Sequence, residues 1–128
     1  IGRWQDAKDH LDVLIANDPK IPELKLLYAR CLTVLGKVPQ AAQQFYSLIG
    51  YDPRTRTFDP KTAEDAKNVA AYVAAARLER QDREAPEVAD QIMQQMVAVN
   101  PNSYEAYLER GRYYLRSGEL PGAQKDIT

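Results

Sequence analysis

Residues 22–53 read PELKLLYARCLTVLGKVPQAAQQFYSLIGYDP, and the spacing of their apolar, glycine and proline positions decides the fold. Leu24, Leu27, Cys31, Val34 and Leu35 recur at helical intervals, which predicts a helix from Pro22 to Leu35. Gly36 interrupts it, and Pro39 offers a rigid first-turn residue for the next helix. From Pro39 to Ile49, Ala41, Ala42, Phe45, Leu48 and Ile49 form one broad apolar stripe. A helix this short is marginal alone in water, so the stripe must be buried against a neighbour. The stretch therefore reads as two antiparallel helices joined by a short turn.

The pattern repeats along the chain. A shift of 34 residues lays Gly2, Ala7, Leu11, Leu14 and Pro19 over Gly36, Ala41, Phe45, Leu48 and Pro53. A shift of 82 residues lays Gly36, Pro39 and Ala41 over Gly118, Pro121 and Ala123, and Glu23, Leu26, Arg30 and Leu32 over Glu105, Leu108, Arg112 and Tyr114. Further helices are expected near Gly2 to Ala16, Thr62 to Gln81, Pro86 to Val99, Ser103 to Ser117, and from Pro121 onward. In the middle unit Pro101 anchors one helix, with Ala89, Met93 and Met96 as its packing positions, and Ala71, Ala75 and Leu78 anchor the other. The two anchors disagree by two residues, which implies a lengthened turn through Asp82 to Pro86. Pro60 and the stretch Thr62 to Lys67 are expected to extend the next helix backwards, leaving Arg54 to Asp59 as a loop.

These spacings resemble the tetratricopeptide repeat family. Ala29, Leu32, Gly36, Ala41, Phe45, Leu48 and Pro53 fill its register in one complete unit, and Tyr107, Gly111, Tyr114, Gly118 and Ala123 follow it in the last. The resemblance implies an all-α fold of antiparallel helix-pair repeats, stacked as a short right-handed superhelical solenoid. On that reading 1–128 is a partial array: 1–21 the second-helix half of a truncated repeat, 22–55 a complete repeat, 56–67 an insertion with helix extension, 68–103 an expanded repeat, and 104–128 an incomplete repeat. A chain that begins inside one unit and ends inside another looks like a window cut from a longer protein.

Such arrays present a concave face to partners instead of an enclosed catalytic cavity. Carried over by register, the family geometry directs Glu23, Leu26, Arg30, Thr33 and Val34 toward the groove. Val69, Tyr72, Ala76, Glu79 and Arg80 form the corresponding middle row, and Glu105, Leu108, Arg112, Leu115 and Arg116 the last. Arg30 and Arg112 share one offset, Arg80 and Arg116 another, so a broken ladder of guanidinium groups could meet carboxylates of an extended peptide or helix. Glu23, Glu79 and Glu105 could instead neutralise those arginines in weak surface pairs. The lysine and asparagine arrangement of the family's carboxylate clamp is absent. Tyr51, Arg54, Arg56 and Phe58 in the insertion are a second candidate contact surface; the alternative is a purely structural segment. Trp4, Tyr28, Tyr107, Tyr113 and Tyr114 read first as packing residues.

Composition narrows the remaining classes. The 128 residues are 45% hydrophobic and 27% charged, and 17 Lys plus Arg against 18 Asp plus Glu leave a net charge of -1, so no net field recruits nucleic acid or an anionic membrane. Mean hydropathy is -0.53. A single cysteine, Cys31, excludes an internal disulfide and reads as a helix packing residue. His10 beside Asp6 and Asp9 is too sparse for a metal site, and Glu64 and Asp65 are adjacent and point apart on a helix. No phosphate-binding glycine loop occurs, and aromatic and cationic residues are not interleaved as RNA binding requires. The expectation is a non-catalytic scaffold without cofactor that binds a protein or peptide, or a structural spacer that self-associates through its repeat ends.

Overall fold

A computed structural model describes residues 2–17 and 21–117. Three helices come first: α1 (Gly2–Asn17), α2 (Pro22–Val34) and α3 (Val38–Ile49). Proline occupies the first turn of both α2 and α3, where its missing N–H leaves nothing unsatisfied. Between them Gly36 takes φ +79°, the left-handed conformation that ends a helix. The Lys37 N–H donates to the Leu32 carbonyl at 2.8 Å and the Gly36 N–H to that of Thr33 at 3.1 Å. Those two bonds form a Schellman cap, and they reverse the chain so that α2 and α3 pack as a pair. Phe45, Leu48 and Ile49 of α3 are buried, each stabilising the pair by roughly 1.5 to 3 kcal/mol.

The insertion departs from expectation. Tyr51–Asp52 (β1) and Thr57–Phe58 (β2) pair antiparallel as a small hairpin, with Tyr51 opposite Phe58 and Asp52 opposite Thr57. Thr62 to Lys67 form turns and bends and do not extend a helix, because their backbone donors are used elsewhere. The N–H groups of Glu64 and Asp65 bond the carbonyls of Ser47 and Leu48 at 3.1 and 2.9 Å, and the Asp59 N–H bonds that of Gly50 at 2.8 Å. The segment caps the C-terminal end of α3, whose last carbonyls have no partner within the helix. Lys25 of α2 also pairs with Glu64 and ties the segment to the first repeat.

Helix α4 (Val69–Arg77) starts at Asn68, whose side chain accepts the Ala71 N–H at 3.2 Å. It continues into a π-helical turn, Leu78–Asp82, before α5 (Pro86–Val99). The surplus residues expected in the Asp82 to Pro86 connection are thus taken up partly by a widened last turn. The chain leaves that turn with the Ala85 N–H on the Glu79 carbonyl at 2.8 Å and Glu84 at φ +52°. Helix α6 (Tyr104–Arg116) begins at Ser103, whose hydroxyl accepts the Ala106 N–H at 3.1 Å.

One continuous core joins the pairs: α3 packs on α4, α4 on α5, and α5 on α6. The architecture is all-α with paired helices, apart from the hairpin. The helix expected from Pro121, and Gly118 before it, lie outside the described residues. No described helix is long and apolar enough to cross a membrane.

Candidate functional site

A cleft of about 510 Å³ opens across α2, α4 and α6. Helix α2 contributes Arg30, Thr33 and Val34, and α4 contributes Val69, Ala70, Val73, Ala74 and Arg77. Leu78, Gln81 and Asp82 of the π turn, Glu105 and Glu109 of α6, Phe45 of α3 and Trp4 of α1 complete the lining. Val34 is 54% exposed and Trp4 42%, which leaves apolar surface at the mouth. The Thr33 hydroxyl donates to its own helix at the Ala29 carbonyl, 2.9 Å away. Neither Arg30 nor Arg77 has a hydrogen bond or ion pair among the described residues, whereas Arg112 pairs with Glu109 at 2.8 Å.

Five residues expected in the groove therefore meet there: Arg30, Thr33, Val34, Val69 and Glu105. Glu23 is exposed at the start of α2 beyond the cleft, while Leu26 and Leu108 are half-buried. Arg112, Leu115 and Arg116 are exposed along α6. Arg116 lines a separate cavity of about 50 Å³.

The middle row is a correction. Tyr72 and Ala76 are fully buried and Glu79 nearly so, which leaves them no surface for a partner. The Tyr72 hydroxyl donates to the Ala66 carbonyl at 2.6 Å, and burial pushes its pKa up to about 12. Glu79 accepts the Tyr46 hydroxyl and lies 3.5 Å from Arg83. Burial, reinforced by that carboxylate, holds the Tyr46 phenol well above the usual tyrosine range. Arg80 donates to the Tyr113 hydroxyl at 2.9 Å, which itself donates to Asp90 at 2.6 Å. Its guanidinium also lies 3.4 Å from Asp90 and 5.2 Å from the Tyr113 ring centroid, so it is engaged within the fold.

A one-residue shift in register accounts for the buried members of the row, Tyr72, Ala76 and Glu79. The burial pattern aligns Ala29, Cys31 and Leu32 of α2 with Ala76, Leu78 and Glu79. That alignment puts Arg77, not Ala76, opposite Arg30, and Val73 and Gln81 where Tyr72 and Arg80 were expected. One residue turns a helix by about a quarter of its circumference, enough to exchange a buried face for an open one. The detectable signal is the stripe Val69, Val73, Arg77 and Gln81, spaced one turn apart. Nothing comparable marks Trp4 or Glu109.

At the insertion, Tyr51 is buried, its ring centroid 5.0 Å from that of Tyr46 in an edge-to-face contact and 4.9 Å from that of Phe58 in a tilted one. Both aromatic rings thus belong to the packing. Arg54 and Arg56 remain exposed at the hairpin loop. The Arg54 N–H bonds the Asp52 carboxylate at 2.9 Å, and Arg56 sits at φ +57°. Beneath the loop lies a polar recess of about 450 Å³ that includes Ser47, Asp52, Asp59 and Glu64. No cluster of three potential metal ligands occurs among the described residues. Cys31 is buried, and its thiol is pushed up by desolvation, away from nucleophilic thiolate chemistry.

A family model for the tetratricopeptide repeat matches residues 1–54. This N-terminal segment is a tetratricopeptide-like repeat. The match takes in α1, α2 and α3 and stops within the hairpin loop. No curated protein and no solved structure matches the chain.

Proposed function

We propose that this protein is a non-catalytic interaction scaffold whose stacked pairs continue as a short right-handed superhelix and whose concave face binds a segment of a partner protein, extended or helical. The cleft across α2, α4 and α6 carries this reading, because it joins apolar walls to charged groups, Arg30, Arg77 and Glu105, that have no ion pair among the described residues. The tetratricopeptide-like repeat over residues 1–54 supports it, since such repeats serve protein contacts. Arg30, Val34, Val69, Val73, Arg77 and Glu105 form the revised contact set, and Arg112 extends it along α6.

Trp4, the single tryptophan, lines the cleft and reports occupancy through its emission. Peptides selected for binding to the full chain are expected to shift that emission, and Arg30→Glu with Val34→Asp to weaken them about tenfold or more with helical content unchanged. Binding that both substitutions leave intact would place the interaction elsewhere.

A second reading, self-association through repeat ends, rests on α1. Val13 is 59% and Leu14 36% exposed on a helix whose only buried residue is Leu11. Stacking of that face against another copy would show as mass rising with concentration in light scattering, abolished by Val13→Asp; a constant monomer mass excludes it.

A further inference from the structure

The charged groups that line the cleft differ in how the fold uses them, and if, as proposed, the cleft is the binding face, that difference selects its occupant. Arg30 on α2 and Arg77 on α4 stand at equivalent places on their helices, unpaired among the described residues, at one cleft. Of the other cations nearby, Arg80 is committed to Tyr113 and Asp90 and Arg112 to Glu109, while Arg116 is exposed at the smaller cavity it lines with Arg77. Asp82, Glu105 and Glu109 line the same cleft, yet none comes within ion-pair distance of Arg30 or Arg77. Glu105, on the α6 wall, is itself without an ion pair among the described residues. The cleft therefore holds two guanidiniums, from α2 and α4, and three carboxylates: Glu105 and the Arg112-paired Glu109 on its α6 side, and Asp82 on the π turn beyond Arg77, with Val69, Val73 and Ala74 also in the lining.

A purely acidic segment would meet repulsion at Glu105, and a purely basic one at Arg30 and Arg77. A segment with opposite charges at its two ends satisfies both walls. We propose that the cleft receives a dipolar segment of a partner protein: an acidic side chain between Arg30 and Arg77, a large apolar side chain over Val34, Val69 and Val73, and a basic side chain toward Glu105. Ala70 and Ala74, one turn apart on α4, let the segment's backbone approach the floor. The apolar contact supplies most of the affinity, and the separated charges set direction and register.

A random dodecapeptide display library, selected on the full chain, tests this. Peptides recovered on the wild-type protein are expected to carry an Asp or Glu and a Lys or Arg on opposite sides of a large apolar residue. On Arg30→Glu/Arg77→Glu, the acidic position should change to Lys or Arg, and wild-type peptides should bind about tenfold more weakly. Glu105→Lys should convert the basic position alone to Asp or Glu. Arg30, Arg77 and Glu105 are exposed, so circular dichroism should show each variant folded. Selected peptides with no charge pattern, or the same peptides from every variant, overturn the dipolar assignment. If such patternless peptides are nevertheless lost on Val34→Asp, the cleft remains the binding site and only the dipolar inference falls. Peptides that survive Val34→Asp, or a library that yields no binder, overturn both.

Discussion

At Gly50 the chain turns out of α3 at φ +73°, and a β-carbon added there would lie 2.4 Å from the Asp59 carbonyl oxygen and 2.9 Å from the Ala63 β-carbon. The obstructing oxygen is backbone, in the same segment that caps the helix, so it cannot swing aside. Gly50→Ala combines left-handed strain with overpacking and is expected to cost about 2 to 4 kcal/mol in urea unfolding; a loss below about 0.5 kcal/mol would mean that the cap moves freely. Tyr72 carries a different signature. Its folded pKa of about 12 lies above the usual value of 10, so the folded state holds the proton more tightly. The stability this gives is complete below pH 10 and is lost as pH rises toward about 12, in the same direction as Tyr46 and Tyr113. Alkaline titration should show phenolate absorbance from these rings appearing with loss of helix, and Tyr72→Phe should remove part of the pH dependence. A phenolate rise complete before any helix is lost would contradict the burial assigned to Tyr72.

The hairpin and α4 mark the limit of what pattern alone can reach among the elements. Helices α2, α3, α5 and α6 are legible to within a residue or so, because each carries one apolar stripe and a proline or Ser/Gly boundary. Helix α4 has small apolar residues all round: Ala71 and Ala75, Tyr72 and Ala76 are buried on adjoining faces. Periodicity therefore fixes no single orientation, and a groove row read from it falls one residue early. Residues 62–67 have good helical composition but lose to a tertiary demand, the open carbonyls at the end of α3. The hairpin is invisible to pattern because two-residue strands carry no alternation to detect. The structure nevertheless makes its residues unequal. Phe58 packs on Tyr51 and the core, so Phe58→Ala should cost about 1 to 3 kcal/mol, against less than about 0.5 for exposed Arg54→Ala. Equal, negligible losses in thermal unfolding would return Phe58 to the surface.

Across the described residues, the elements touch mainly their neighbours in sequence, so stability is expected to vary along the chain. Helices α3, α4 and α5 supply most of the buried side chains, while α1 buries only Leu11 and packs chiefly on α2. Opening α1 gives up little apolar burial, so it should unfold locally at a free energy well below that of the core. Hydrogen exchange read by mass spectrometry is expected to show α1 amides exchanging first, α2 next, and those of α3 and α5 only near global unfolding. The exposed face at Val13 and Leu14 adds a concentration test to the same measurement. If copies stack through that face, protection of α1 rises with protein concentration while that of α5 does not change, and Val13→Asp restores fast exchange. If α1 is as slow as α5 in dilute solution, its single buried leucine understates its attachment, and the nearest-neighbour account of this fold fails at its first helix.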